Sequence, residues 1–302
     1  MVGCDESGHP SQQCPPRRMV HKFVVVFVIV VVVGLSSAYV PRSAVQAASA
    51  ARPFPSVPFV VGCGVSHESN DDPIIHPGHS GMSHRHVFFG NRSTNASSTV
   101  ASLNAAATTC EDPADRASYW LPGLIGGSWI NMRAYYSSGL LTASSVRPMP
   151  LGLQIVTGWK FDAVGQGSSV SWSCGLLADQ VGWTASRPAT CRTGTKLSAR
   201  IDFPQCWDGR HLAAPGNVVW ASGRACPAGH PIGLPQLRIR VDVVGQPTQL
   251  ASGRFETMHA DFWNIWEPNR LSDLVTKCIR GERAVQREVR RCGVPGAGPR
   301  KG

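Results

Sequence analysis

Charged residues are scarce in this sequence, at 16% of 302 residues, and amphipathic helical runs are nearly absent. The chain instead contains 31 glycines, 23 prolines and 9 tryptophans. Turn formers and aromatic residues in these numbers favour a β-rich, loop-rich fold over a helical bundle. No Walker loop, GxGxxG fingerprint or GxSxG elbow occurs, so the sequence gives no sign of a P-loop enzyme, a dinucleotide-binding domain or an α/β-hydrolase.

Long apolar runs are missing apart from one near the N-terminus. Basic residues precede the 13-residue stretch Phe23–Leu35, and Val45 and Ala47 supply small residues for cleavage. These are the parts of a secretory signal, whereas spanning a bilayer takes about 20 residues. We expect residues 1–47 to be an N-terminal extension with a signal peptide, or alternatively an uncleaved signal anchor, and the protein to be secreted or held at the cell surface.

Paired CxxC motifs, which would indicate a zinc finger, are also lacking. Ten cysteines are present, of which eight follow the leader. Thiols outside the cytosol tend to be oxidised, and an even number suits a disulfide framework. We therefore expect structural disulfides, with pairing open, among Cys63, Cys110, Cys174, Cys191, Cys206, Cys226, Cys278 and Cys292.

The net charge of +10 is concentrated at the chain ends. Residues 279–302 hold seven basic and two acidic side chains. Nucleic-acid binders usually cluster Arg and Lys on a folded surface, so we predict no nucleic-acid partner. Residues 280–302 are interpreted as a basic, flexible tail, either simply solvated or adhering to an anionic wall polymer or membrane surface.

The ordered part of the chain is predicted to be one domain. Residues 48–58 combine small residues with prolines and form a linker, which places the domain at 59–279. Its sequence alternates short apolar stretches with turn residues, and "LRIRVDVV" shows the period of a half-buried strand. Leu271–Ile279 has a helical period. The expected fold class is mainly β, sandwich-like or irregular, disulfide-stabilised, with a C-terminal helix, and we expect a monomer.

Two histidine-containing pairs share a spacing of two residues. His84 and His86 precede the apolar run from Val87, and His259 precedes Asp261. Alternate side chains of a strand share a face, so two such pairs on neighbouring strands offer three imidazoles and a carboxylate. That set predicts one divalent metal ion, zinc first. Two alternatives stay open: a metal-free His base oriented by Asp261, or polar residues hydrogen-bonded around an aromatic groove.

The segment "FPQCWDG" predicts a disulfide-anchored loop that presents Trp207 and Asp208. A tryptophan beside a carboxylate can hold a sugar, because the ring stacks on C–H groups and the carboxylate accepts from hydroxyls. Asp208 is therefore a catalytic candidate, together with His259 and Asp261 of the spaced pairs. Trp207 is a substrate-binding candidate. A buried Trp207 beside an ordinary turn is the alternative. His230, between two prolines, is a further contact candidate or a structural residue.

At the level of motifs the chain resembles a family of secreted fungal and actinobacterial proteins that share a domain of unknown function. The resemblance runs from about Val60 to Cys278 through "SHRHVFFGN", "TTCEDPADRASYWLP", "FPQCWDG", "CPAGHP" and "HADFWNIW". It implies secretion and a wall or carbohydrate setting. Tyr119 and Trp120 are further substrate-binding candidates. Two positions depart from the family pattern: Val87 replaces an Asp, and residues 213–222 lack further histidines.

Together these features predict a secreted or cell-surface protein that acts on or binds cell-wall or extracellular polysaccharide. As an enzyme it would be a metal-dependent or His/Asp-dependent hydrolase or lyase. The rival interpretation is a non-catalytic carbohydrate-binding or structural wall protein. A membrane contact is expected only through an uncleaved N-terminal segment.

Overall fold

Two five-stranded sheets dominate the computed structural model, which describes residues 58–158, 169–175, 182–187, 190–281 and 292. The predicted extension 1–47, the linker up to residue 57 and most of the tail lie outside the described residues. The described strands are β1 Phe59–Cys63, β2 Val65–Ser69, β3 His86–Gly90, β4 Ser118–Pro122, β5 Leu124–Ser137, β6 Gln154–Gly158, β7 Val170–Gly175, β8 Lys196–Asp202, β9 Cys206–Trp207, β10 Val218–Val219, β11 Ile232–Gly233, β12 Gln236–Leu250 and β13 His259–Trp263. The described α-helices are α1 Val100–Ala105 and α2 Pro268–Leu274, and a π-helical turn, Val275–Ile279, continues α2.

All neighbouring strands of the sheets are antiparallel. The first sheet has the order β1-β5-β12-β8-β7, the second has β2-β3-β4-β13-β6, and a small third sheet has β10-β9-β11. The inner faces of both large sheets contribute to one hydrophobic core, with Ile201 and Ile239 from the first and Phe89 and Phe262 from the second. Burial of each such side chain stabilises the fold by about 1.5–3 kcal/mol. The predicted class, mainly β with a C-terminal helix, is confirmed.

The alternation read from the sequence is realised in β8 and β12. Leu237, Ile239 and Val241 are fully buried, while Arg238 and Arg240 lie on the other face of the strand. The first sheet therefore has one apolar and one polar face, as half-buried strands require.

The second sheet is covered on both faces, which explains its continuous apolar runs. On the face turned away from the main core, Phe88, Trp120 and Trp263 form a second apolar cluster. Ile74, from the loop after β2, and Leu103, from α1, cover this cluster. Strands buried on both faces lose the period-two pattern, so these faces cannot be distinguished by hydropathy alone.

Four disulfides confirm the predicted oxidation of the cysteines. The pairs are Cys63–Cys110, Cys174–Cys191, Cys206–Cys226 and Cys278–Cys292. Each bond restricts the unfolded chain and is typically worth about 2–4 kcal/mol. The last pair attaches the tail at Cys292 to the π-helical turn. Within the described part of the chain, no helix has the length and apolar character needed to cross a bilayer.

Candidate metal centre

His86 and His259 come from strands that flank β4 on opposite sides. His86 pairs with Pro122 of β4, and Asp261 of β13 pairs with Trp120. The two-residue alternation of a strand then places His259 level with Pro122 on the face shared by His86. The prediction that the pairs lie on neighbouring strands is wrong, because β4 separates β3 from β13. The imidazoles of His86 and His259 nevertheless meet, with their ring centroids 5.7 Å apart.

His84 joins them from the loop before β3. The sequence pattern predicted that His84 lies on the strand with His86. This is wrong, because the strand begins at His86. Its ring centroid lies 4.2 Å from that of His86 and 5.1 Å from that of His259. One nitrogen of each imidazole lies within 4.8 Å of the others, which makes the three histidines a possible metal-binding group.

The tautomers of the two buried histidines follow from their hydrogen bonds. Nδ1 of His86 lies 3.0 Å from the carbonyl oxygen of Asp71, and Nδ1 of His259 lies 2.9 Å from that of Thr257. A carbonyl oxygen only accepts, so each Nδ1 carries the proton and donates it. Burial, followed by the charges of His84 and His259, holds the pKa of His86 well below its usual value. In the neutral ring Nε2 then carries a lone pair.

These two lone-pair nitrogens lie 3.4 Å apart. With both rings neutral, neither can donate a proton to the other, so the contact requires a cation between them or a second proton on one ring. Tetrahedral zinc with Zn–N bonds of about 2.0–2.1 Å separates two ligand nitrogens by about 3.3–3.4 Å. Nδ1–H donation to a backbone carbonyl is also how metal-binding histidines are commonly oriented. The spacing and tautomers of His86 and His259 are therefore compatible with two ligands of one divalent ion.

Two buried carboxyl groups lie beside the imidazoles. Asp72, His86 and Asp261 form a second group whose donor atoms are within 4.8 Å of one another. Nδ1 of His86 is occupied by its hydrogen bond to Asp71, so only Nε2 can act as a ligand. His86 can therefore bind only one ion. The two groups share His86, but the carboxyl oxygens of Asp72 and Asp261 are not within 4.8 Å of all three histidine donors, so the histidines form a set of their own with the carboxyl groups beside it.

Asp261 is fully buried, and within the described chain neither of its carboxylate oxygens has a hydrogen-bond partner. Burial, and then the charge of Asp72, raises the pKa of Asp261 well above its usual value. An isolated buried carboxylate is strongly unfavourable. Asp261 must therefore hold a proton or bind a cation.

Asp72 and His76 belong to this region; their segment "DDPIIHPG" is part of the family resemblance, but neither was predicted as a site residue. Asp72 Oδ1 accepts from the N–H groups of Ile74 and Ile75, both at 3.0 Å. Burial raises the pKa of Asp72 despite these bonds. His76 is half-buried and acts electrostatically on both Asp72 and His86. The available signal was the run of two acids and a histidine in "DDPIIH", which has no strand or helix period.

Trp120 and Tyr119 lie on opposite faces of β4. Trp120 is fully buried, stacks on Phe88 at 5.4 Å and is next to Asp261 across the strand pair. Its indole N–H, like that of Trp263, has no acceptor among the described residues. Tyr119 points into the main core, where its hydroxyl bonds to Asp115 and Tyr136 at 2.8 and 2.6 Å. We therefore do not place Tyr119 in the site.

The Asp208 loop is a separate structure. Cys206–Cys226 anchors it as the sequence indicated, Trp207 is half-buried, and its indole N–H donates to the carbonyl of His211. Desolvation opposes the shift, but the N–H groups of Arg210 and His211 and the His211 imidazole together outweigh it and lower the pKa of Asp208 to about 2. His211 was missed, although its spacing of three from an Asp-Gly turn was visible.

The structure does not bring this loop to the histidines. Its Leu212 carbonyl accepts from the backbone N–H of Gln154 at 2.8 Å, and Gln154 pairs with Trp263. His259 pairs with Gly158 at the other end of β6. His230 lies with the loop, its Nε2 2.9 Å from the carbonyl of Gly216. Asp208, Trp207 and His230 thus form a cluster apart from the candidate metal centre.

Val87, which replaces an acid in the family pattern, faces the main core. Consecutive strand residues face opposite ways, so a side chain at this position points away from His86. The departure therefore leaves the donor set unchanged.

Comparison with known proteins gives one match. A model of the family described as "Domain of unknown function (DUF1996)" matches residues 72–266, which include every donor of the candidate centre. No curated protein and no solved structure shows a significant match to the chain.

Proposed function

Because the chain belongs to this family, whose domain has no known function, we propose its activity from the site itself: it binds one divalent cation, zinc first, through His84, His86 and His259. Asp72 and Asp261 lie beside this set through their shared neighbour His86, and the fourth position of the ion is left to water. The observation that carries the proposal is the 3.4 Å separation of two lone-pair nitrogens. Only a cation makes that contact favourable without protonating a buried ring.

We further propose that the bound ion serves a hydrolase or lyase acting on polysaccharide outside the cell. A catalytic zinc ion lowers the pKa of a bound water to about 7 and acts as a Lewis acid. Asp261, next to the ion, is positioned to take or give a proton. The half-buried His84 marks the side from which a substrate can approach. Four disulfides suit an oxidising, extracellular setting.

The rival function is a non-catalytic carbohydrate-binding or structural wall protein. It is favoured by the burial of His86, His259 and Asp261, which leaves little of the donor set within reach of a polymer. In that case the ion would be structural, with all its positions filled by protein.

Zinc titration followed by a turnover assay separates these functions. Chelator-treated protein titrated with zinc in a calorimeter is expected to bind one ion per chain. The loaded protein is then incubated with neutral and acidic polysaccharides, and new reducing ends and unsaturated products are measured. Products that disappear with chelator and return with zinc support the enzyme. Bound zinc without products supports the rival, and the absence of stoichiometric binding contradicts the metal site.

A further inference from the structure

The outer face of the first sheet carries a row of arginines. Arg133 of β5 pairs with Arg240 of β12, and Arg240 pairs with Arg200 of β8. Their neighbours Ala134 and Ile201 are fully buried in the core, so the arginines project from the opposite face. Neighbouring strands lie about 4.8 Å apart, and the row therefore spans three adjacent strands in direct register.

Like charges placed directly opposite each other destabilise a sheet. The two aspartates on this face are already engaged, Asp202 with Arg238 and Asp242 with Arg240. In the part of the chain that the structure describes, neither Arg133 nor Arg200 forms an ion pair. A third acid, Glu111, lies at the Arg133 end of this face: its carboxylate accepts from the N–H of Gly62, the β1 residue that pairs with Arg133, but among the described residues it forms no ion pair with that arginine.

Two of the arginines also differ in exposure. Arg133 is exposed, whereas Arg200 is half-buried with its guanidinium 4.9 Å from the centre of the Trp183 ring. Burial, and then the charge of Arg238, lowers the pKa of Arg200 despite the charge of Asp202. The row thus carries more positive than negative charge, with Glu111 near Arg133 at one end and Arg200 outside any ion pair among the described residues at the other.

We propose that this row, Arg133, Arg240 and Arg200, is a binding surface for a carboxylate-bearing polysaccharide. Arginine binds carboxylates with two parallel hydrogen bonds, and a uronate polymer presents one carboxylate on each sugar to successive guanidinium groups. Tyr135, half-buried on the same face next to Arg133, offers a ring against which a sugar can pack. Four disulfides favour a partner that is found outside the cytosol.

This surface is separate from the candidate metal centre. The arginines lie on the outer face of the first sheet, while His86 and His259 lie on the outer face of the second, and the main core lies between. Binding to the row therefore does not depend on a bound ion.

The test uses polygalacturonate and its methyl ester, which share a backbone and differ in charge. Affinities are measured with chelator-treated protein, so that the result is independent of the proposed metal function. Arg133→Glu is expected to lower the affinity for polygalacturonate by about tenfold or more, as the loss of a charge-assisted hydrogen bond implies. Arg133→Lys should keep part of it. The matched control is Arg224→Glu, the same charge change at an exposed turn residue.

Several outcomes would overturn the proposal. Equal losses in Arg133→Glu and Arg224→Glu would show only a general effect of charge. Equal binding of the methyl ester would exclude carboxylate recognition, and tighter binding of a DNA oligonucleotide would point to nucleic acid. Abolition of binding by Arg290→Gln/Arg291→Gln, which leaves the row intact, would assign the affinity to the tail.

Discussion

His259→Ala is expected to lower zinc affinity more than about 100-fold, since loss of a residue that only orients a ligand already costs about 10–100-fold. The remaining His84 and His86 cannot complete a tetrahedral set, and the 3.4 Å nitrogen pair is broken. Without zinc the variant should melt only modestly earlier than the wild type, because losing the buried hydrogen bond to the Thr257 carbonyl costs about 1–3 kcal/mol. Zinc should then stabilise the wild type and not the variant.

Competition titration and melting curves with and without zinc measure both effects. His79→Ala is the matched control, because His79 is exposed and its Nδ1 contacts only the nearby Pro77 carbonyl. If His259→Ala keeps the affinity of the wild type and melts earlier under both conditions, His259 is a structural residue.

The second large effect concerns Asp115, which is fully buried. Its oxygens accept from the Tyr119 hydroxyl at 2.8 Å and the Ala117 N–H at 3.1 Å. Burial, which outweighs these bonds, raises the pKa of Asp115 to about 8 from 3.8. The folded state therefore holds an extra proton, and the free energy of unfolding falls as the pH rises from about 4 to about 8.

Asp115→Asn should remove this pH dependence and stabilise the protein at alkaline pH by an amount on the order of 5 kcal/mol. The amide can donate to Tyr119, whose hydroxyl then donates to Tyr136, which accepts from Trp266 at 3.1 Å. Urea unfolding at pH 5 and pH 9 measures the difference. The partly exposed Asp273→Asn is the control. Parallel pH curves for wild type and Asp115→Asn would mean that Asp115 stays ionised in the fold.

The sequence predicted the fold class because half-buried strands keep their alternation. β12 shows this pattern from Leu237 to Val243, and the helix that ends the domain shows its own period. The second sheet was harder, because burial of both faces in β3, β4 and β13 removes the alternation. The interposed β4 could not be derived, since strand order depends on long-range pairing rather than on local pattern.

Some residues of the candidate site could be predicted from the sequence, and others could not. The two-residue spacings of His84 with His86 and of His259 with Asp261 were enough to predict residues that the fold brings together. Tyr119 and Trp120 could not both line one cleft, because adjacent strand residues face opposite sides. Asp72 lies in a loop whose approach to the sheet has no sequence signature.

X-ray absorption at the zinc edge of the loaded protein tests the central claim most directly. The account predicts one zinc ion with three imidazole nitrogens at about 2.0–2.1 Å and one or two oxygen donors at about 2.0–2.2 Å. Loss of the imidazole signal in His86→Ala would assign it to this site. A shell of oxygen atoms alone, or a spectrum unchanged in His86→Ala, would contradict the claim that His84, His86 and His259 form a metal centre.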